Sequence, residues 1–508
     1  MILKKKSRPG ASRSGPARPE DERLPLGSTF AYGFQHVLTM YGGIIAPPLI
    51  IGAAAGMDSQ DIGLLIAACL FVGGLATILQ TIGVPFFGSQ LPLVQGVSFA
   101  GVSTMVAIVH GGGGIQSVFG SVIVASLIGL AITPVFSKII RFFPPVVTGT
   151  VITTIGLTLM PVAANWAMGG NSQAEDYGSV SNIGLAAATM AVVLLLSKVG
   201  SSAISRLSIL LAMVVGTLIA LAVGKADFSK VGEGDVVAFP TPFAFGAPTF
   251  EIAAIISMLI VILVTLTETS ADIIAVGEIT KSKVDARRIG DGLRADMLSS
   301  ALSPVFNSFT QSAFAQNVGL VAITGIKSRF VVSAGGLILV VLGLLPILGR
   351  VVAAVPTPVL GGAGVVLFGT VAASGIRTLA KVEYRGNMNL IIVAASIGFG
   401  MIPIAAPHFY DQFPAWFATI FHSGISSAAI AAILLNIMFN HVKKGNTENQ
   451  SVFVAGTERS VTDQDVACLA DGDHFEDGKL IDREGREVPI TSSIDVVKVP
   501  DRTETREP

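Results

Sequence analysis

Apolar residues gather along this chain in stretches of about twenty, divided by short polar joints, from Phe30 to about Asn440. A helix needs roughly 20 mostly apolar residues to cross the hydrocarbon of a bilayer, so each stretch predicts one crossing. Crossings are expected to begin near Phe30, Ile62, Leu91, Ile115, Pro145, Ile183, Leu207, Ile252, Leu293, Ser308, Phe330, Val351, Met388 and Ala415, which makes fourteen. Two of them do not read as plain helices. The third contains "FGSQLPLVQGVSFAGVSTM" and the tenth contains "NSFTQSAFAQNVGLVAIT", where amides, hydroxyls and glycines adjoin a short β-favouring run. Backbone that is neither helix nor closed barrel is tolerated at membrane depth only where it is buried in protein or lines a wet cavity. The pattern predicts an all-α polytopic membrane protein with short β-strands in segments 3 and 10, which pair and present free backbone groups to a ligand.

Fourteen segments divide into seven and seven, and an odd-numbered unit repeated once must invert in the bilayer. The first repeat is expected over about residues 29–224 and the second over about 251–440. Charge supports this layout. Only 13% of the 508 residues are charged and 51% are hydrophobic, against about 25% charged in soluble domains. Residues 1–28 hold 7 Lys/Arg and 3 Asp/Glu, and residues 441–508 hold 9 and 15, leaving 17 basic and 16 acidic residues for the membrane domain, 29–440. If the basic N-terminal arm is inside, the joints on its side carry Lys138, Arg141, Lys198, Arg206, Lys281, Lys283, Arg287, Arg288, Lys327, Arg329, Arg377, Lys381 and Arg385. Arg294 begins the ninth crossing at the same face. Only Lys225, Lys230 and Arg350 fall on the other side. That asymmetry follows the rule that basic loops stay cytoplasmic, and it places both termini inside a plasma (inner) membrane. The arm lacks the apolar core of a cleavable signal peptide and is expected to be mobile. Cys69 and Cys468 imply no disulfide framework and no zinc cluster, and the net charge of −1 does not suggest a nucleic-acid partner.

Several polar residues need a reason to be in the membrane. Glu268 and Asp272 follow a long apolar run in the eighth crossing, and their i, i+4 spacing puts them on one helix face. A carboxylate at the bilayer centre costs about 2.5–3.5 kcal/mol on insertion scales, so it faces the bundle interior and usually marks a substrate or proton path. Carboxyls in such surroundings can exchange protons near neutral pH, which makes Glu268 the leading proton carrier. Asp272 has an equal alternative as a cap or ion-pair partner near the helix end. Asp296, in "GDGLRADMLSS", reads either as a functional acid or as a local pair with Arg294. His36 is a packing or gating residue more than a ligand, since no second His or Cys is spaced for metal. Gln316 and Asn317 offer both donors and acceptors, which suits a flat polar ligand with alternating N–H and C=O edges. Amides also tie helices together in membranes, and the two readings stay open on chemistry alone.

The stretch Gln316 to Gly325, "QNVGLVAITG", together with "QHVL" at Gln35, "QGVSFAG" at Gln95, "TETSADIIAVGEI" at Thr267 and "GLRAD" at Gly292, resembles the nucleobase/ascorbate transporters. These are also called the nucleobase:cation symporter-2 family, and the likeness is to their xanthine and uric acid permeases. Its signature is Gln, Glu or Pro, then Asn, any residue, Gly, four of any kind, Thr, and Arg, Lys or Gly, and every position is met. The likeness runs from about Ser28 to Asn440. It implies a proton-coupled importer of a purine base with a core domain that holds substrate and a gate domain, commonly a homodimer, with no cofactor beyond the coupling proton. By the same resemblance, Glu268 would bind the base and couple the proton with Asp272 and Asp296. Gln316 would hydrogen-bond the base, Asn317 would support the site, and backbone at Ser98, Phe99 and Ala100 would contribute. His36, Gln95, Gly319 and Thr324 would act on affinity or structure. Uracil members usually carry Glu and His where this chain has Gln316 and Asp272, so the resemblance favours xanthine or urate.

Two other classes compete. An anion transporter on the same fourteen-segment plan should replace the intramembrane carboxylate with a basic residue or a bare helix terminus, which Glu268 argues against. A membrane enzyme should show a metal cluster, nucleophile elbow or phosphate loop, and the central chain carries none. The polar tail, 441–508, is expected either to be disordered or to form a small β-rich element around "VACLADGDHFEDGKL".

Overall fold

The computed structural model describes residues 18–136, 142–384 and 388–442, and in the tail 473–476, 479–483 and 486–488. Lys138, Arg141, Arg385 and Cys468 lie outside the described residues. The helices are α1 (Leu26–Ala54), α2 (Ser59–Ile82), α3 (Val102–Ile108), α4 (Gly114–Ile132), α5 (Pro145–Ala167), α6 (Val180–Val199), α7 (Ser208–Ala222) and α8 (Ile252–Thr280). They continue as α9 (Ala286–Leu302), α10 (Ala315–Thr324), α11 (Arg329–Gly343), α12 (Pro346–Ala353), α13 (Thr357–Leu379), α14 (Asn389–Ala405), α15 (Ala415–Phe421) and α16 (Gly424–Asn436).

Among the described residues, eight helices are long and apolar enough to cross a membrane, or nine if α11 and α12, bent by 79°, form one span. The remaining expected crossings are short or broken. Helix α7 has 15 residues and α14 has 17, α10 is a half-length helix of 10, and α15 stops at Phe421 before α16 resumes at Gly424. Two boundaries differ from the hydropathy reading. The crossing expected from Val351 begins at Thr357, because the chain turns at Pro356 and the residues before it belong to α12. The one expected from Leu293 begins at Ala286, where Asp285 caps the helix by accepting from the Arg288 amide at 2.9 Å. A polar first turn hides a helix start from hydropathy, whereas capping geometry marks it.

The helices pack in two groups. Helix α2 lies on α11 and α12, α1 on α11, and α4 on α8 and α9; α13 lies on α5, α6 and α7, with α14 and α16 also on α5. Close approach sets the second group, since a Cβ on Gly156 of α5 would come within 2.3 Å of the Ala372 amide nitrogen of α13. Small residues at such contacts let helix backbones meet where lipid supplies no hydrophobic drive.

The expected strands are present. β1 (Gln95–Val97) and β2 (Gln311–Ala313) run antiparallel with Gln95 opposite Ala313, Gly96 opposite Ser312 and Val97 opposite Gln311. Backbone bonds from Ser98 to Thr310 (2.8 Å) and from Phe314 to Val94 (3.0 Å) extend the pair. The outer edges are pinned by hydroxyls from two helices, α2 and α9. Thr77 of α2 accepts from the Gln95 amide at 2.9 Å, and Ser300 of α9 accepts from the Gln311 amide at 2.8 Å.

The N-terminal arm is not wholly loose. Glu20 is buried, accepts from Ser282 Oγ at 2.5 Å and pairs with Arg288 at 2.6 Å, while Asp21 pairs with Arg329 at 2.7 Å. Burial alone would raise the Glu20 pKa, but the bonds from Ser282 and Arg288 outweigh it and hold the carboxyl below its usual value. In the tail, His474–Glu476, Lys479–Ile481 and Glu487–Val488 form a three-stranded antiparallel sheet.

Candidate functional site

A cavity of about 930 Å³ opens where the two helix groups meet beside the strand pair. Its floor is the strand pair and the residues just past each strand: Val97, Ser98 and Phe99 at the end of β1, and Ser312 to Gln316 around β2 and the start of α10. The chain leaves each strand directly into a helix, so the half-helices α3 and α10 both begin beside the cavity. A helix start turns unpaired amide groups outward, and in transporters such broken segments commonly frame the substrate.

Glu268 and Asp272 line one wall, one turn apart on α8, as the i, i+4 spacing requires. Neither carboxyl has a hydrogen bond or ion pair with another described residue, and both are partly open to the cavity. Gln316 is exposed into the same space with its amide unpaired among the described residues, and Gly319 lies one turn further along α10. Phe99 meets Phe368 of α13 edge to face, with ring centroids 6.3 Å apart. An aromatic ring, an amide and a carboxyl lining one space are groups able to pack against and hydrogen-bond a flat polar ring.

Other residues singled out by sequence stand behind this surface. Asn317 is buried, and its Nδ2 donates to the His36 carbonyl at 3.2 Å and contacts His36 Nδ1 at 3.1 Å. The pair ties α10 to α1, and neither residue lines the cavity. Asp296 is also buried away from the cavity, and it is not paired with Arg294, which bonds Asp291 and the Phe86 carbonyl. Instead it accepts from Thr269 Oγ1 at 2.6 Å and Gln80 Nε2 at 3.4 Å. Thr269 in turn approaches Ser312 Oγ at 3.3 Å and accepts from the Ala313 amide at 3.4 Å. One hydroxyl, that of Thr269, thus links Asp296 to the cavity floor. Gln95 is buried with both side-chain amide atoms unpaired among the described residues, and Ala100 is buried, its backbone amide donating to Ser98 Oγ at 3.2 Å. Thr324 lies outside the cavity lining and donates to the Leu320 carbonyl at 2.8 Å, next to the left-handed Gly325 (φ 68°) that ends α10.

Sequence reasoning missed the charged residues on the far wall of the cavity. Arg377 and Lys381, expected only as loop charges, line the same space from the end of α13. The signal was available: Arg377 stands inside the last turn of a long apolar helix rather than in a joint.

A family model described as "Permease family" matches residues 27–409. The chain is 39% identical to a xanthine permease of Bacillus subtilis (strain 168) over 86% of its length and 100% of that protein. It is 38% identical to the uric acid transporter UacT of Escherichia coli (strain K12), covering 84% of this chain and 90% of that one. It is 39% identical to the uric acid permease PucK of Bacillus subtilis (strain 168), covering 80% and 94%. Among solved structures it shares the fold of the transmembrane domain of a cyanobacterium bicarbonate transporter, BicA, with a TM-score of 0.52, 15% identity, and 80% and 97% of the two chains covered. A second is the murine anion transporter Slc26a9 in its inward-facing state, with a TM-score of 0.55, 12% identity, and 85% and 73% covered.

Proposed function

This chain belongs to the xanthine/uracil permease family, membrane transporters of nucleobases and not enzymes, and from that premise we propose that it is a proton-coupled symporter importing an oxidised purine, xanthine or urate, across the plasma membrane. The carrying observation is the cavity that brings Glu268, Asp272, Gln316 and the backbone beside Phe99 to one surface. Gln316 pairs with the edge of the base through its donor and acceptor groups, and Glu268 provides the partner whose charge changes with the proton. Identity of 38–39% to xanthine and uric acid transporters supports the substrate class.

In this reading the chain forms fourteen segments in two inverted repeats. The strand-bearing group, α1–α4 with α8–α12, is the core, and α5–α7 with α13–α16 is the gate. Two features support that assignment: the strands sit seven segments apart, and each is pinned by a hydroxyl from the preceding helix of its own half. The basic-rich end of the bundle faces the cytoplasm, so the cavity, rimmed by Arg377 and Lys381, opens inward. Away from that rim, Thr104 of α3 contacts Ser423 Oγ at 2.7 Å at the start of α16, a buried link between core and gate. The protein functions as a homodimer. An anion carrier on the same fold is the other class to exclude, and the two carboxyls on the cavity wall argue against it.

The test is competition of labelled xanthine uptake by urate, uracil, guanine, hypoxanthine and ascorbate in cells expressing only this transporter, with and without a protonophore. Xanthine and urate are expected to compete and the others weakly, with uptake collapsing when the proton gradient is removed. Uracil as the strongest competitor, or uptake indifferent to the protonophore, refutes the corresponding half of the proposal.

A further inference from the structure

The cavity has walls of opposite charge. Glu268 and Asp272 stand on α8, and Arg377 and Lys381 come from the last turn of α13 and the residues just after it. The two basic residues are four apart, both exposed, and neither side chain makes a hydrogen bond or ion pair with another described residue. Arg and Lys at helix ends ordinarily reach toward lipid headgroups. These two instead line the space shared with Gln316, where a headgroup anchor has no purpose.

We propose that Arg377 and Lys381 are specificity residues that give the gate wall the positive charge needed to accept a purine as its monoanion. The proposal rests on the function stated above and names the ionic form of the base the cavity takes. A base anion facing only Glu268 and Asp272 is repelled whenever either carboxyl is ionised. A guanidinium opposite them offsets that repulsion and offers planar, forked donors to a carbonyl oxygen and the adjacent deprotonated ring nitrogen, an acceptor that the neutral base lacks. Lys381, a compact point charge nearer the mouth, draws the anion in and is screened by salt. The acidic wall then manages the proton while the basic wall manages the charge of the base.

The experiment uses the purified full-length protein in lipid nanodiscs and displacement of labelled xanthine by unlabelled urate or xanthine. A mildly acidic buffer keeps urate an anion and xanthine neutral. Arg377→Gln and Lys381→Gln are each expected to weaken urate roughly fivefold to tenfold and to leave xanthine within about twofold, with Arg377→Lys recovering part of the loss. Added salt is expected to weaken urate in the wild type and to have little effect on the double variant. Equal losses for urate and xanthine mean a structural role and overturn the proposal, as does urate binding that no variant changes. Normal xanthine binding in every variant certifies the fold. A wild type that binds no purine defeats the proposed function itself, which separates the two failures.

Discussion

In the proposed function, charge matters more than shape at position 268. Glu268 reaches the cavity from α8 with no hydrogen bond or ion pair to another described residue, which leaves its carboxyl open to the cavity. Glu268→Gln keeps the outline and the hydrogen-bonding capacity but removes the titrating group. The expected outcome is loss of proton-driven accumulation by at least about a hundredfold with base binding partly retained, measured as uptake against equilibrium binding on the same preparation. Full accumulation in that variant sinks the proton assignment. Glu268 and Gln316 were legible in the sequence because an acid and an amide in an apolar run are costly to insert unless they face a site or a partner. The contacts of Asp296 and His36 were not. Each bonds a partner distant in sequence, Asp296 with Thr269 and His36 with Asn317, and spacing along the chain does not encode such contacts.

At the scale of elements the strand pair decides the site. Its strands are three residues each and survive in mid-membrane because their flanks are fixed from outside. Gly96 is required by packing, since a Cβ there would lie 2.6 Å from Phe314 Cε2. Thr77 satisfies the Gln95 amide, so Thr77→Val leaves that N–H unpaired at a cost of about 1–3 kcal/mol. We expect Thr77→Val to lower the thermal midpoint of the detergent-solubilised protein and weaken base binding together, whereas Thr324→Val, at the far end of α10, lowers stability with little effect on binding. Equal effects from both would mean that the strand pair does not form the floor. Hydropathy found both strands by their disruption of an apolar run. It misjudged α9 and α13, whose starts depend on the Asp285 cap and the turn at Pro356.

For the whole molecule, the proposed transport cycle has the two helix groups move against each other. The buried contact of Thr104 with Ser423 crosses between them. Because the two hydroxyls touch at 2.7 Å, Thr104→Cys with Ser423→Cys on a background lacking Cys69 and Cys468 should cross-link under mild oxidation. Uptake is expected to fall to background when the bridge forms and to return on reduction. Undiminished transport in the fully bridged protein would show that this contact does not open during the cycle.

The sequence by itself determined that the chain lives in a membrane, where its two irregular segments fall, and which acid and amide are available for chemistry. Those features follow from local composition, because a bilayer penalises each polar group wherever it stands. Tertiary structure alone decided that Arg377 and Lys381 share a cavity with Glu268 and Asp272, that Asp296 bonds Thr269, and that residues 18–22 are clasped to the segments around Ser282 and Arg329. Each of these joins residues brought together by the packing of separate helices. Such pairings depend on which helices meet, and the apolar pattern of a single helix is satisfied equally well by many neighbours.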